Sequence, residues 1–237
     1  MSNFKGKSVL VFGGSRGIGA AIVRRFASEG ATVTFTYAGS KLAAEQLATQ
    51  TGSRAVETDS SERDAVIARV RDSGPLDVLV VNAGIAVFGD ALEQEPDEIE
   101  RLFRINIHAP YYAAVEAARK MPQGGRIIII GSVNGDRMPI PGMASYAVSK
   151  SALQGLARGL ARDLGPRGIT INVVQPGPID TDANPAEGPM KDLMHSFMAI
   201  KRHGRPEEVA GMVAWLAGPE AGFVTGAMHT IDGAFGA

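Results

Sequence analysis

Tyr146 and Lys150 lie four residues apart in Ser145-Tyr-Ala-Val-Ser-Lys150. On a helix that spacing stacks the two side chains on one face, about 5–6 Å apart at Cβ. An ammonium beside a phenol favours the phenolate, and a free Tyr titrates near pKa ~10. The expectation is a tyrosine moved toward neutrality, able to pass a proton to or from a substrate oxygen. Upstream, the apolar run Arg126-Ile-Ile-Ile-Ile130 ends at Gly131-Ser132. A serine hydroxyl at that strand end can hydrogen-bond a carbonyl oxygen while Tyr146 handles the proton. No base near Ser132 in the sequence would activate it as a nucleophile, which argues against a hydrolase triad.

Asn106 adds an independent signal in Arg104-Ile-Asn-Ile-His-Ala-Pro110. Pro110 has no N–H, so the carbonyl of residue 106 loses its usual helical partner. One reading is a plain proline kink. The other is a freed carbonyl that holds a water and extends a proton path from Lys150.

These residues need a scaffold, and the hydrophobic pattern describes one. Strands are expected at Ser8–Phe12, Thr32–Thr36, Arg54–Thr58, Asp77–Val81, Arg126–Ile130, Thr170–Val174 and Ala227–Ile231. Helices are expected at Ile18–Ser28, Lys41–Thr49, Glu62–Arg71, Glu98–Lys120, Ser145–Leu164 and Pro206–Ala217. Alternation of this kind predicts a parallel sheet with helices on both faces, and strands that are apolar throughout fit the same sheet. Residues 181–205 form a long irregular connection, and such connections are usually functional or mobile. No compositional break marks a second domain.

The first strand runs into Gly13-Gly-Ser15-Arg16-Gly17-Ile18-Gly19, which opens the first helix. Glycines there let the backbone turn tightly and approach a pyrophosphate seated on a helix N-terminus. The end of the second strand reads Thr36-Tyr37-Ala38-Gly39-Ser40, without the carboxylate that would hold a ribose 2′-hydroxyl. Arg16 inside the turn, with the hydroxyls of Tyr37 and Ser40, suits a 2′-phosphate instead, so NADP(H) is the expected cofactor. Asp59 could accept from the adenine amino group or prepare the next helix, with Ser60 and Ser61 competing for that cap. Asn82-Ala83-Gly84 puts small residues at the carboxyl end of a central strand, where ligands lie in such sheets.

Bulk properties narrow the rest. The chain has 237 residues, 45% of them hydrophobic, and a formal net charge of −1 without a charge block. That suits one large core and argues against a nucleic-acid polymer or a polybasic membrane anchor as partner. There are no cysteines, which excludes disulfides, zinc thiolates and thiol nucleophiles. The segment from Met1 to Lys7 lacks the apolar stretch of a signal peptide, and no 18-residue apolar run follows, so a cytoplasmic location is expected.

Ser132, Tyr146, Lys150 and Asn106, together with Gly13, Gly17, Gly19 and Asn82-Ala83-Gly84, resemble the short-chain dehydrogenase/reductase family over the whole chain. The resemblance implies an α/β, single-domain Rossmann fold over residues 1–237, doubly wound, with a seven-stranded parallel sheet. It implies hydride transfer between the nicotinamide of NADPH and a small-molecule carbonyl or alcohol substrate. It also implies that Lys150 holds the nicotinamide ribose and that Pro176, Gly177, Ile179 and Thr181 form the nicotinamide-side segment. Residues 181–205 would then be a substrate-loop insertion. Phe12 stands where a threonine usually precedes the first glycine, and Val81 where an asparagine is common. The stretches Gly131–Pro139, Ser151–Gly155 and Phe197–Pro206 resemble a cyclic-di-GMP-binding regulatory member of the family, which implies that ligand as a further partner.

Two surfaces stay open to alternative readings. Met190, Met194 and Met198, with Met138 and Met143, line an adaptable apolar pocket or form a helix face on the core. Arg137, Lys201, Arg202 and Arg205 meet an anionic substrate or are ordinary solvated charges. Gly155 and Gly159 allow another helix to come close. Family members are usually dimers or tetramers, so the expected contact is between the Tyr146 and Asn106 helices of two subunits, as a homodimer or homotetramer.

Overall fold

A computed structural model describes residues 4–237; Met1, Ser2 and Asn3, part of the segment read above for a signal peptide, lie outside the described residues. Seven strands form one sheet: β1 (Ser8–Phe12), β2 (Thr32–Tyr37), β3 (Arg54–Glu57), β4 (Val78–Val81), β5 (Arg126–Ile130), β6 (Thr170–Pro176) and β7 (Met228–Ile231). Every pairing is parallel, in the order β3-β2-β1-β4-β5-β6-β7. The order reverses at β1, which lies between β2 and β4. Crevices at such reversals, at the carboxyl ends of the strands, are where ligands bind in open α/β sheets.

The helices are α1 (Gly17–Ser28), α2 (Lys41–Thr51), α3 (Arg63–Asp72), α4 (Pro96–Phe103), α5 (Ala109–Lys120), α6 (Ala144–Leu164), α7 (Lys191–Phe197) and α8 (Pro206–Ala217). Successive strand residues face opposite sides, so the all-apolar strands feed two cores. Val9, Val11, Val80, Ile128 and Ile130 pack with α1, α2 and α8 on one face. Leu10, Phe12, Leu79, Ile127 and Ile129 pack with α3, α5 and α6 on the other. Among the described residues, no helix is long and apolar enough to cross a membrane.

Two departures from the sequence reading bear on function. The expected helix 98–120 is α4 and α5 joined by a π-helical turn, Arg104–His108, in which the Ala109 N–H bonds back to the Arg104 carbonyl. Pro110 is thus accommodated by one wide turn rather than a simple kink. The segment expected to be irregular contains α7. Its two ends meet: Ile179 bridges Gly204, and the Asp180 N–H donates to the Gly204 carbonyl at 2.9 Å. The loop is therefore a closed flap rooted at one point beyond β6.

Candidate active site

The glycine turn is closed by three contacts from neighbouring strands. The Gly13 N–H donates to the Thr36 hydroxyl at 3.0 Å, and the Gly14 N–H to the Thr36 carbonyl at 2.9 Å. The Asn82 side-chain amide donates to the Gly13 carbonyl at 2.8 Å. Thr36 thus ties down the turn although Phe12 has no hydroxyl to offer. Packing leaves no room for side chains: a Cβ on Gly13, whose φ is +73°, would lie 2.7 Å from the Ala83 Cα, and one on Gly19 would lie 2.0 Å from the Gly13 oxygen. Beyond the turn, the first N–H groups of α1 have no intrahelical partners.

A cleft of about 970 Å³ opens from this turn across the carboxyl ends of the strands. Ser15, Arg16, Gly17, Ile18, Tyr37, Ser40, Asp59, Ser60, Asn82, Ala83, Gly84, Pro176, Gly177, Ile179 and Thr181 all line it. Gly19 sits behind the turn, packed on Gly13. Arg16 is exposed, with no ion-pair partner among the described residues. Ser40 stands before α2 with no side-chain capping bond, so its hydroxyl faces the cleft unspent. An anion-binding helix terminus, a free guanidinium and a strand end without an acid fit a dinucleotide carrying a 2′-phosphate. Asp59 accepts from both the N–H and the hydroxyl of Ser61 at 2.8 Å, and the Ser61 N–H holds its carboxyl below the ordinary carboxylate range. It therefore shapes the turn before α3 while still bordering the cleft.

Ser132, Tyr146 and Lys150 line the same cleft. Ser132 lies just past β5, where its hydroxyl donates to the Asn134 side-chain oxygen at 3.2 Å and helps to lower the titration of the Tyr146 phenol. The Ser132 oxygen also accepts from the Asn134 N–H at 3.1 Å. The Lys150 ammonium is 5.7 Å from the centroid of the Tyr146 ring and donates to the Ile130 carbonyl at 3.1 Å. Lys150 is only 6% exposed.

The expected tyrosine acidity is overturned. Burial pushes the Tyr146 phenol above its usual value, and the Ser132 hydrogen bond offsets only part of that. Burial also lowers Lys150 to about 8. The ammonium is directed at the Ile130 carbonyl, and loss of solvation raises the phenol by more than Ser132 lowers it. A lysine four residues away supplied the right neighbour but said nothing about solvent.

Asn106 is 1% exposed and acts through its side chain. Its amide donates to the Ile85 carbonyl at 2.8 Å and to the Ser149 hydroxyl at 3.0 Å, while its oxygen accepts from the Ile85 N–H at 2.9 Å. Ser149 in turn donates to the Tyr146 carbonyl at 2.7 Å. The strand-end loop, the π turn and the Tyr146 helix are thereby locked together. A Cβ on Gly84 would lie 3.4 Å from both the Asn106 oxygen and the Lys150 nitrogen, so a glycine lets these groups converge. Ser149 escaped the sequence reading, although its position three residues after Tyr146 places it on the same helix face.

At the far end, Met143, Met190 and Met194 line the cleft. Met198 instead packs with Val133 and Phe235, and Met138 meets the Asn134 amide. The methionines therefore split between the two readings. Phe88, Ile140 and Phe235 join this wall from loops that gave no periodic signal. The basic residues near it are occupied elsewhere. Arg137 donates to the carbonyls of Phe235 and Ala237. Lys201 donates to those of His195 and Ser196, and Arg202 forks onto Glu208. Arg205 lies 3.7 Å from the same Glu208.

A family model described as enoyl-(acyl carrier protein) reductase matches residues 13–235. The chain is 78% identical, over 100% of both chains, to the cyclic-di-GMP-binding biofilm dispersal mediator protein of Escherichia coli K12. Among solved structures it is similar to BdcA in complex with NADPH, with a TM-score of 0.98 and 78% identity, covering 99% of this chain and 96% of that one. A short-chain dehydrogenase/reductase from Serratia marcescens is 50% identical, with a TM-score of 0.96 over 99% and 100% of the two chains. This chain belongs to the short-chain dehydrogenase/reductase family, a family of oxidoreductases.

Proposed function

We propose that this protein is an NADPH-dependent oxidoreductase that interconverts carbonyl compounds and alcohols. The observation that carries the reading is one continuous cleft that has the glycine turn and free Arg16 at one end and Ser132, Tyr146 and Lys150 at the other. Bound NADPH supplies the hydride. Ser132 donates a hydrogen bond to the substrate oxygen and Tyr146 gives it the proton. With its titration raised by burial, Tyr146 stays protonated at pH 7 and is ready to act as an acid. Lys150, charged below its value of about 8, steadies the phenolate that remains and holds the nicotinamide ribose. Asn106 fixes the Tyr146 helix, and its backbone carbonyl, carried on the wide turn at Arg104–His108, holds the water that returns the proton from solvent. The flap at 181–205 covers the substrate.

Tyr146→Phe should cut turnover roughly 10²–10⁴-fold, as expected for loss of a general acid. NADPH binding, followed by fluorescence, should persist. Unchanged turnover would end this mechanism. In the parent protein, carbonyl reduction should fall as pH rises above about 8, where Lys150 loses its charge.

A second reading is compatible with the first. The full-length identity of 78% to a protein named for cyclic-di-GMP binding supports the same ligand here. Titration calorimetry with and without NADPH tests it, and no heat at tens of micromolar protein would remove it. The protein acts in the cytoplasm as a homodimer or homotetramer. A Cβ added to Gly155 or Gly159 would meet nothing within 4 Å. Both glycines border a 490 Å³ trough with Tyr111 and Leu156, which supports a subunit contact there.

A further inference from the structure

The hydride-transfer reading leaves the substrate unnamed, and the charges around the cleft narrow it. Near Tyr146 the walls are Phe88, Ile140, Met143, Met194, Phe197 and Phe235. The polar groups that reach this space, Ser132, Asn134 and the Tyr146 phenol, are uncharged. Of the cations that line the cleft, Arg16 and Arg101 lie toward the nucleotide, Arg101 close enough to Asp59 to lower its titration further. Lys150 is buried on the floor and bonded to Ile130. Arg137, Lys201, Arg202 and Arg205 are spent on carbonyls and on Glu208.

The loop that brings Phe88 to the apolar end carries the opposite charge. Residues 86–95 contain Asp90, Glu93 and Glu95 and no lysine or arginine; in the flap at 181–205, Asp182, Glu187 and Asp192 stand against Lys191, Lys201, Arg202 and Arg205. All six carboxylate residues are exposed, and Lys191 is taken up by Glu187 at 2.8 Å. An anion approaching past residues 86–95 therefore meets a carboxylate rim and then an apolar wall that itself carries no cation, and desolvating it there is costly.

Resting on the oxidoreductase reading, we infer that this site takes free, uncharged, largely apolar carbonyl compounds. It disfavours acyl groups delivered on a phosphopantetheine arm by coenzyme A or an acidic carrier protein, although the matching family model is named for a carrier-linked substrate. Exposed Phe88, at 69%, contributes apolar surface that folding does not require, and a bound ring or chain would cover it.

Matched pairs test this by following NADPH oxidation by the purified protein. Methyl 4-formylbenzoate and 4-formylbenzoate differ chiefly in charge. Ethyl acetoacetate and acetoacetyl-coenzyme A share a reacting ketone. The uncharged member of each pair should have a kcat/KM at least ~10-fold higher, and the gap should narrow in ~0.5 M salt as the rim is screened. Met194→Arg should move the formylbenzoate pair toward the carboxylate while NADPH affinity stays unchanged. Equal or greater kcat/KM for the charged members would overturn the inference and leave the oxidoreductase reading standing. NADPH binding with no carbonyl compound reduced would overturn both.

Discussion

At the nucleotide end of the cleft the ligand surface is mostly backbone, held between β1, β2 and β4 by bonds to Thr36 and Asn82. At the substrate end it is side chains, carried by residues 86–95, the segment after β5 and the flap at 181–205. The first surface is shaped by what is missing, because a Cβ on Gly13 or Gly19 would enter its neighbours. The second is shaped by what projects, chiefly methionine, phenylalanine and isoleucine. A backbone cradle admits one ligand shape. A wall of flexible side chains on loops can be altered without disturbing the sheet. The ends should therefore respond differently to substitution.

The largest effect should come from filling the cradle. Gly19→Val drives atoms into the Gly13 carbonyl, and NADPH binding should fall by at least ~100-fold, as overpacking displaces the turn. A fluorescence titration checks this, with circular dichroism to confirm folding. Near-parental affinity would mean that the turn is softer than its contacts indicate.

Arg16→Ala should be smaller and selective. Loss of a charge-assisted hydrogen bond, worth ~1.5–3 kcal/mol, should weaken NADPH about 10–100-fold and leave NADH nearly unchanged. Equal losses for both cofactors would remove Arg16 from the 2′-phosphate.

The last effect concerns stability, where the floor between the two ends holds a desolvated charge. Lys150 titrates near 8 in the fold against 10.5 for an ordinary lysine. The unfolded chain therefore binds more protons between those values, and this group's contribution to stability is lost as pH falls through about 8. Holding it charged at pH 7 costs on the order of 3 kcal/mol. Lys150→Met should abolish turnover yet melt above the parent protein at pH 7, with the gap closing toward pH 10.5. A lower melting temperature at pH 7 would show that the bond to Ile130 outweighs the burial cost.

The same division governs what the sequence could reveal. The glycine turn, the strand ends and the Tyr146–Lys150 spacing are local patterns, and each lands in the cleft. Strand boundaries shift by one or two residues, as with β6, which continues through Gln175 to Pro176. Acidity did not follow from spacing, because burial depends on walls contributed by distant loops. Phe88, Ile140 and Phe235 share no periodicity and meet only in the fold. Ser149 follows from a helical-face argument, whereas Thr36 supplies from the adjacent strand the hydroxyl that Phe12 lacks, a pairing that only the sheet order reveals.

The wide turn at Arg104–His108 holds one residue more than an α-helical path would need. Excising a single residue there would restore ordinary winding and swing all of α4 around its axis by about 100°. Leu102, fully enclosed now, would rotate toward water, and Asn106 would release Ile85. The bulge therefore makes the length of this turn as decisive for the site as the identity of any side chain in it.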